Sequence, residues 1–398
     1  MSIFLKDHHL QLAQDLVDET KSRPDGLAPV DLETFWADDE SARENPFADD
    51  CPQVPLGIRM NPLCIFDELG IEEDNYRLVH DWPWRIEQSR KYNDLAEKIV
   101  GRRVLAATLP DPQLQINDVK ALHDIFEAKN LWTGDSYWLH QAADSPTELS
   151  DLLDRVDKRL DNLEQFMLPD GWEQQKKRVL DAGGDLPLYR GQRGPITFAM
   201  SVFGVENLIF LIMDNPELAG RFRDTILRAM LERARILDEQ AGYTPETAPH
   251  GFSFADDNCM MLNAEMYEFF GYPILKGIFD RYSPNPEDRR YQHSDSEMAH
   301  LLPVLSKVDL TGTNFGPQLT VTEIRQYLPR AEIGGQLAPF TFSRNEEVNI
   351  VAEFIRDYEM AGEKKGLLFT TAGSINNGSR LSGMRLIMAA IQRYGRYR

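Results

Sequence analysis

Arg190-Gly-Gln-Arg-Gly-Pro195, Phe254-Ala-Asp-Asp257, Gln292-His-Ser-Asp295 and Thr370-Thr-Ala-Gly-Ser374 each close an apolar run with a turn rich in glycine, proline or aspartate. A helix-like segment follows each of them. Strand, turn and helix in repetition is the rhythm of a (β/α) barrel, where polar residues on the loops after the strands carry the chemistry. The expected fold is therefore α/β, a TIM-type (β/α)8 barrel with an N-terminal extension. Residues 1–54 form the arm and residues 55–398 the barrel.

The chain has 398 residues, 42% of them hydrophobic and 10% aromatic, enough for a barrel of about 250 residues plus an extension. Its 43 Lys+Arg against 64 Asp+Glu leave a net charge of −21. Like-charge repulsion then opposes general binding to nucleic acid or to an anionic membrane. Cys51, Cys64 and Cys259 are too few and too scattered for a disulfide framework, and no CxxC pair offers a thiolate metal site. The start, Met1-Ser-Ile-Phe-Leu-Lys-Asp-His-His-Leu10, turns polar before a signal-peptide core can form. The longest apolar stretch, around Leu208 to Met213, is far short of a membrane span. These features predict a cytoplasmic protein.

Residues 1–54 are acidic and proline-punctuated, with one possible helix and little periodicity after it; they read as an arm over a barrel end or as partly ordered. Val54-Pro-Leu-Gly-Ile58 reads as a first strand, and a polar helical segment spans residues 76–100, ahead of Arg103-Val-Leu-Ala-Ala-Thr108. Leu149, Leu152, Leu153, Val156, Leu160 and Leu163 repeat at helical spacing and predict a core-facing stripe. Leu186-Pro-Leu-Tyr189 is a short strand candidate, residues 198–213 an apolar helix, and Asn215-Pro-Glu-Leu218 a capped helix start. Phe252 to Ala255 predicts a strand, and Asn263 caps a helix that Tyr272-Pro273 is expected to interrupt. Val308-Asp-Leu-Thr-Gly-Thr, Ala331-Glu-Ile-Gly-Gly-Gln-Leu and Gly366-Leu-Leu-Phe-Thr-Thr predict the later strands, with helices from near Thr320, Asn345 and Ser382.

The candidate site residues sit on the expected strand ends. Arg190 and Arg193 flank glycines, where a guanidinium can clamp an anionic substrate bidentately; as surface residues they pair with the acidic excess instead. Asp256 and Asp257 are candidate acid–base groups, and in a strand only one of the two faces the site. His293 suits a proton shuttle or, with Asp295, a metal site, for which Cys259 is the nearest sulfur. Asn314, Gln336, Asn376 and Asn377 are amides at later strand ends, of a kind that orients ligands or ties loops.

Gly194-Pro195 with the apolar helix after it, Asn215-Pro-Glu-Leu218, Asp256, Leu262-Asn-Ala-Glu265, the run from His293 to Leu302-Pro303, and the end from Gly373 to Arg385 with Tyr394-Gly395 resemble the uroporphyrinogen decarboxylase superfamily. The resemblance implies a TIM-type barrel and an enzyme of one of two kinds, a tetrapyrrole decarboxylase or a methyltransferase serving corrinoid proteins or thiols. Against the decarboxylases, Asp256 matches, whereas their tyrosine after the Gly-Pro turn falls on Ser201, their serine after the aspartate on Asp257 and their late histidine near Gly373. Phe66-Asp-Glu-Leu-Gly-Ile71 is similar to the methyltransferases, whose zinc is held by His-x-Cys and a later cysteine; His293 and Asp295 occupy the first two positions, and no cysteine occurs within residues 371–374. Methyl transfer on a small or medium anionic substrate, with a divalent metal such as zinc or a corrinoid protein as partner, is the activity implied. Decarboxylation of a tetrapyrrole such as uroporphyrinogen and a non-catalytic ligand-binding barrel are the alternatives.

Overall fold

The computed structural model describes residues 4–397; Met1, Ser2 and Ile3 of the N-terminal stretch lie outside them, as does Arg398. The chain forms two compact units, one of Met1–Leu109, Ser294–Ala299 and Gly312–Arg398, the other of Pro110–His293 and His300–Thr311. Strands β1 (Lys129–Thr133) and β2 (Ser136–His140) make an antiparallel hairpin. Six strands are parallel and follow chain order in the sheet: β3 (Gly191–Arg193), β4 (Phe252–Ala255), β5 (Arg290–Ser294), β6 (Gly312–Phe315), β7 (Glu332–Leu337) and β8 (Leu367–Thr371). The architecture is thus α/β.

In the unit built from residues 110–293 and 300–311, the leucine stripe is buried as expected. Ser145 caps the helix Pro146–Leu160 by accepting the Glu148 N–H, and Leu149, Leu152, Leu153, Val156 and Leu160 all face the core. Leu186 is not in a strand. It packs with Trp172 and Val179 in a small cluster, and strand pairing begins only at Gly191. The apolar helix expected over 198–213 is two helices, Pro195–Phe203 and Val205–Asp214, bent by 102° at Gly204. The helix after Asn263 runs from Ala264 to Tyr282 straight through Pro273. Proline frees the carbonyl four residues back, and here Arg223 Nη1 donates to Phe269 O at 3.0 Å, which satisfies it. The hairpin was not anticipated. Thr133 pairs with Ser136 around a two-residue Gly134-Asp135 turn, with Gly134 at φ 64°.

In the other unit, residues 1–54 contain two helices, Asp7–Ser22 and Leu32–Glu44, of which only the first was foreseen. Buried His9 fixes the first. Its Nδ1 accepts the Lys6 N–H at 3.1 Å and its Nε2 meets Glu359 at 3.0 Å, on the helix Glu347–Ala361. Since Nδ1 is the acceptor, neutral His9 carries its proton on Nε2. The polar segment is split into Asn75–His80 and Trp82–Val100, and the run after it, residues 103–108, is held irregular: Asn93 accepts the N–H groups of Val104 and Leu105 and donates to Leu105 O. Val54-Pro-Leu-Gly-Ile58 makes one parallel bridge, Leu56 to Phe369 of β8, in place of a regular strand. Pro55 accepts from the Phe369 N–H but has none of its own to extend the ladder. β6 starts at Gly312, the first residue of this unit's last segment; Val308, expected to open it, lies in the unit of residues 110–293 and 300–311, in a 3-10 turn, Ser306–Val308, ended by Asp309 in the left-handed conformation.

All four residues of β6 are buried, as are Ile333 to Leu337 of β7. Parallel strands covered on both faces leave polar side chains no water, so each must find an internal partner. Among the described residues no single helix is long and apolar enough to cross a membrane.

Candidate functional site

Register sets the level of the candidate groups. Arg193 pairs with Ala255 and Ala255 with His293, so Arg193, Asp256 and His293 stand at the C-terminal ends of β3, β4 and β5. Arg190 lies before β3 begins, opposite Phe252 rather than the strand end.

Asp256 is the most constrained of these. Its N–H donates to His293 O at 2.9 Å, and its Oδ1 accepts the Thr197 N–H, in the first turn of the helix Pro195–Phe203, at 2.8 Å. Gly194 makes the placement possible, since a Cβ there would lie 2.1 Å from Asp256 Cβ and 2.6 Å from its Oδ1. The side chain is fully buried. Among the described residues its Oδ2 has no hydrogen-bond partner. Burial pushes the carboxyl up to about 7, and the neighbouring Asp257 charge pushes the same way, while the Thr197 bonds pull down. Tyr267 lies close by, fully buried, its hydroxyl receiving Gln292 Nε2 at 3.3 Å; burial and the Asp256 charge raise its phenol well above the ordinary value.

Asp257 and His293 form the solvent-facing part. Asp257 Oδ1 is 3.8 Å from His293 Nε2, and the two side chains are 41% and 25% exposed, so both can meet a ligand from solvent. Asp295 follows two residues after His293, just beyond the end of β5, and is exposed. Cys259 is buried, and its thiol donates to Asp256 O at 2.7 Å. A sulfur turned to a backbone carbonyl is not displayed as a ligand, which corrects the expectation that it completes a metal site.

Arg190 also departs from its expected role. Its guanidinium donates to Asp238 at 2.7 Å, to Pro249 O and to Tyr189 O, and lies 4.3 Å over the Tyr282 ring. Every direction of the fork is committed inside the fold, so Arg190 is a structural ion pair and not a free clamp. Arg193 is half-buried and donates to Ser201 Oγ at 3.3 Å.

The later amides tie backbone together. Asn314 Nδ2 donates to Gly334 O at 2.6 Å and Thr371 O at 2.9 Å, joining β6 to β7 and β8. Gln336 Nε2 donates to Gly316 O and Leu319 O, and its N–H to Asp357. The Asn376 carbonyl accepts the Ser379 N–H, while Asn377 bonds Glu73 and the Asp67 N–H; both order the turn after β8. Sequence reading missed Thr197 and Tyr267. Thr197 had a usable signal, the third helical position after Gly-Pro, where an N–H is always unpaired within the helix; Tyr267 had none.

No protein-family model matches the chain, and no curated protein matches it. Solved structures do: a methyltransferase from Methanosarcina mazei is similar with a TM-score of 0.51 at 16% identity, over 90% of this chain and 97% of that one. At that identity the likeness is one of fold.

Proposed function

We propose that this chain is an enzyme of methyl transfer, with Asp256, Asp257 and His293 as its reacting groups and Arg193 as the binding group for a small or medium anionic substrate. The observation that carries it is a buried carboxyl with one unshared oxygen, Asp256 Oδ2, behind a half-exposed Asp257–His293 pair at adjoining strand ends. Strand ends are where (β/α) barrels place their chemistry, and the six parallel strands, with Leu56 bridged to β8, are read as a barrel of that kind. The fold of the Methanosarcina mazei methyltransferase supports the reading.

A divalent ion fits these residues in one way only. With the Cys259 thiol turned to a carbonyl, the donors are His293 and Asp257, a nitrogen-and-oxygen set for a hard or borderline ion held loosely and stripped by chelator. Such an ion would lower the pKa of a bound water or thiol. The chain's own residues bind and orient: Gly194 and Thr197 fix Asp256, Asp256 gives or takes a proton at Oδ2, and His293 relays protons to solvent at Nε2. Asn314, Gln336 and Asn376 are assigned to shaping the strand ends. The methyl source we propose is a corrinoid protein or a methylated thiol.

Tetrapyrrole decarboxylation is favoured by one feature, the isolated Asp256 oxygen, which suits a pyrrole N–H. Incubation of the purified chain with methylcobalamin and a thiol, and separately with uroporphyrinogen, decides between the two. Loss of the methylcobalamin spectrum that disappears in His293→Ala supports methyl transfer; carbon dioxide release from uroporphyrinogen supports the second reading. Saturable binding with no turnover of either leaves a ligand-binding barrel.

A further inference from the structure

We propose that Arg193, Arg233 and His123 form one site for the phosphate group of a substrate, within the unit built from residues 110–293 and 300–311. The inference rests on the reading of Arg193 as the anion-binding group and adds two partners and a ligand class. Arg233, on the helix Pro216–Gln240, donates from Nε to Lys120 O at 3.3 Å and lies 4.5 Å over the Tyr189 ring. The Tyr189 hydroxyl donates to Gln192 Oε1 at 2.7 Å, which leads to the residue before Arg193. His123, on the short helix Leu122–Ile125, falls between Lys120 and Phe126. The Phe126 ring meets Phe198 edge-on at 5.3 Å, on the same helix, Pro195–Phe203, whose Ser201 hydroxyl accepts from Arg193. Residues 120–126 are thus pinned at one end by Arg233 and at the other by the helix that holds Arg193, with His123 between them.

The donors of this cluster are unspent. Among the described residues Nη1 and Nη2 of Arg233, Nε and Nη2 of Arg193 and both ring nitrogens of His123 make no hydrogen bond, and neither arginine has a carboxylate within ion-pairing distance. Asp124 stands 3.9 Å from His123 Nε2, but the same oxygen accepts the Ala121 N–H at 2.7 Å, and Glu127 is taken by Arg155 and Arg159. Burial pushes the His123 imidazole below its ordinary value; Asp124 opposes this, and the Arg233 and Arg193 charges add to it, so both act on the ring. A carboxylate neutralises one guanidinium. A phosphate group carries about −1.5 to −2 at pH 7 with three acceptor oxygens, which suits two guanidiniums and an imidazole. Thr197, one helical turn before Ser201 on the same face, holds Asp256, so the phosphate is placed one turn from the buried carboxyl.

Inorganic phosphate is the probe, titrated calorimetrically into the full chain at about 0.15 M salt, where exposed surface contacts are screened, with acetate for comparison and melting followed in parallel. Arg193→Gln, Arg233→Gln and His123→Gln should each weaken phosphate binding about 10-fold or more, and acetate should bind at least about 10-fold more weakly than phosphate. The His123 ring-proton resonance, identified by its loss in His123→Gln, should move as phosphate is added. No phosphate binding, or binding unchanged in Arg233→Gln and His123→Gln, overturns the shared site; a loss confined to Arg193→Gln leaves the reading of Arg193 standing. Unchanged binding in Arg193→Gln overturns both. Acetate bound as tightly as phosphate overturns the ligand class. Should Arg233→Gln not fold, Arg233→Lys, which keeps the charge and loses the fork, decides by the same readouts.

Discussion

Arg190 and Arg193 stand three residues apart in one glycine-rich segment, and the fold treats them oppositely. Arg190 is held by Asp238, two carbonyls and an aromatic face, while Arg193 donates to a serine hydroxyl at 3.3 Å. The amide of Asn314 is spent in the same way as Arg190, donating to two backbone carbonyls, whereas Asp256 keeps an oxygen without a partner among the described residues. Position at a strand end does not make a polar side chain functional; what remains after its internal bonds are counted does.

The largest effect that would break this contrast is at Arg190. Arg190→Ala strands the buried Asp238 carboxylate and should cost about 3–5 kcal/mol in denaturant unfolding. A loss below about 1 kcal/mol would return Arg190 to the surface. Next is Asp256. Its folded value of about 7 exceeds the ordinary 3.8, so its contribution is fully present below the ordinary value and is lost as pH rises through about 7. Stability measured with chelator present should fall by a few kcal/mol across that window, and Asp256→Asn should flatten the fall; an equal slope in the variant would mean that Asp256 is ionised throughout. Asn314→Ala, which leaves two strand carbonyls without its donors, should cost about 2 kcal/mol. Arg193→Ala should change stability by less than about 1 kcal/mol while weakening anion binding, which isothermal titration with candidate anions reads directly.

The parallel strands were readable because buried strands with turn residues behind them are short, apolar and well punctuated: β4, β7 and β8 fall where the residues predict them. Elements decided by a distant partner were not. Pro273 looks like a break until Arg223 is seen to satisfy Phe269 O, and Leu186 looks like strand until Trp172 and Val179 are seen beside it. The β1–β2 hairpin was legible and overlooked, since Gly134-Asp135 between Trp132 and Tyr137 is a two-residue turn signal. Of the site, Asp256, Asp257 and His293 were named from sequence and stand at adjoining strand ends, because register follows strand spacing. For Arg190 and Cys259 the sequence does not say where the polar atoms point, and both turn into the fold.

The proton on His9 has a practical consequence in the laboratory. His9 turns its bare nitrogen to the Lys6 N–H and a protonated one to Glu359, so the docked helix offers a metal fewer ring nitrogens than the unfolded chain does. Folded protein should therefore elute from a nickel resin at lower imidazole than unfolded protein, giving a chromatographic readout of whether the first helix is docked.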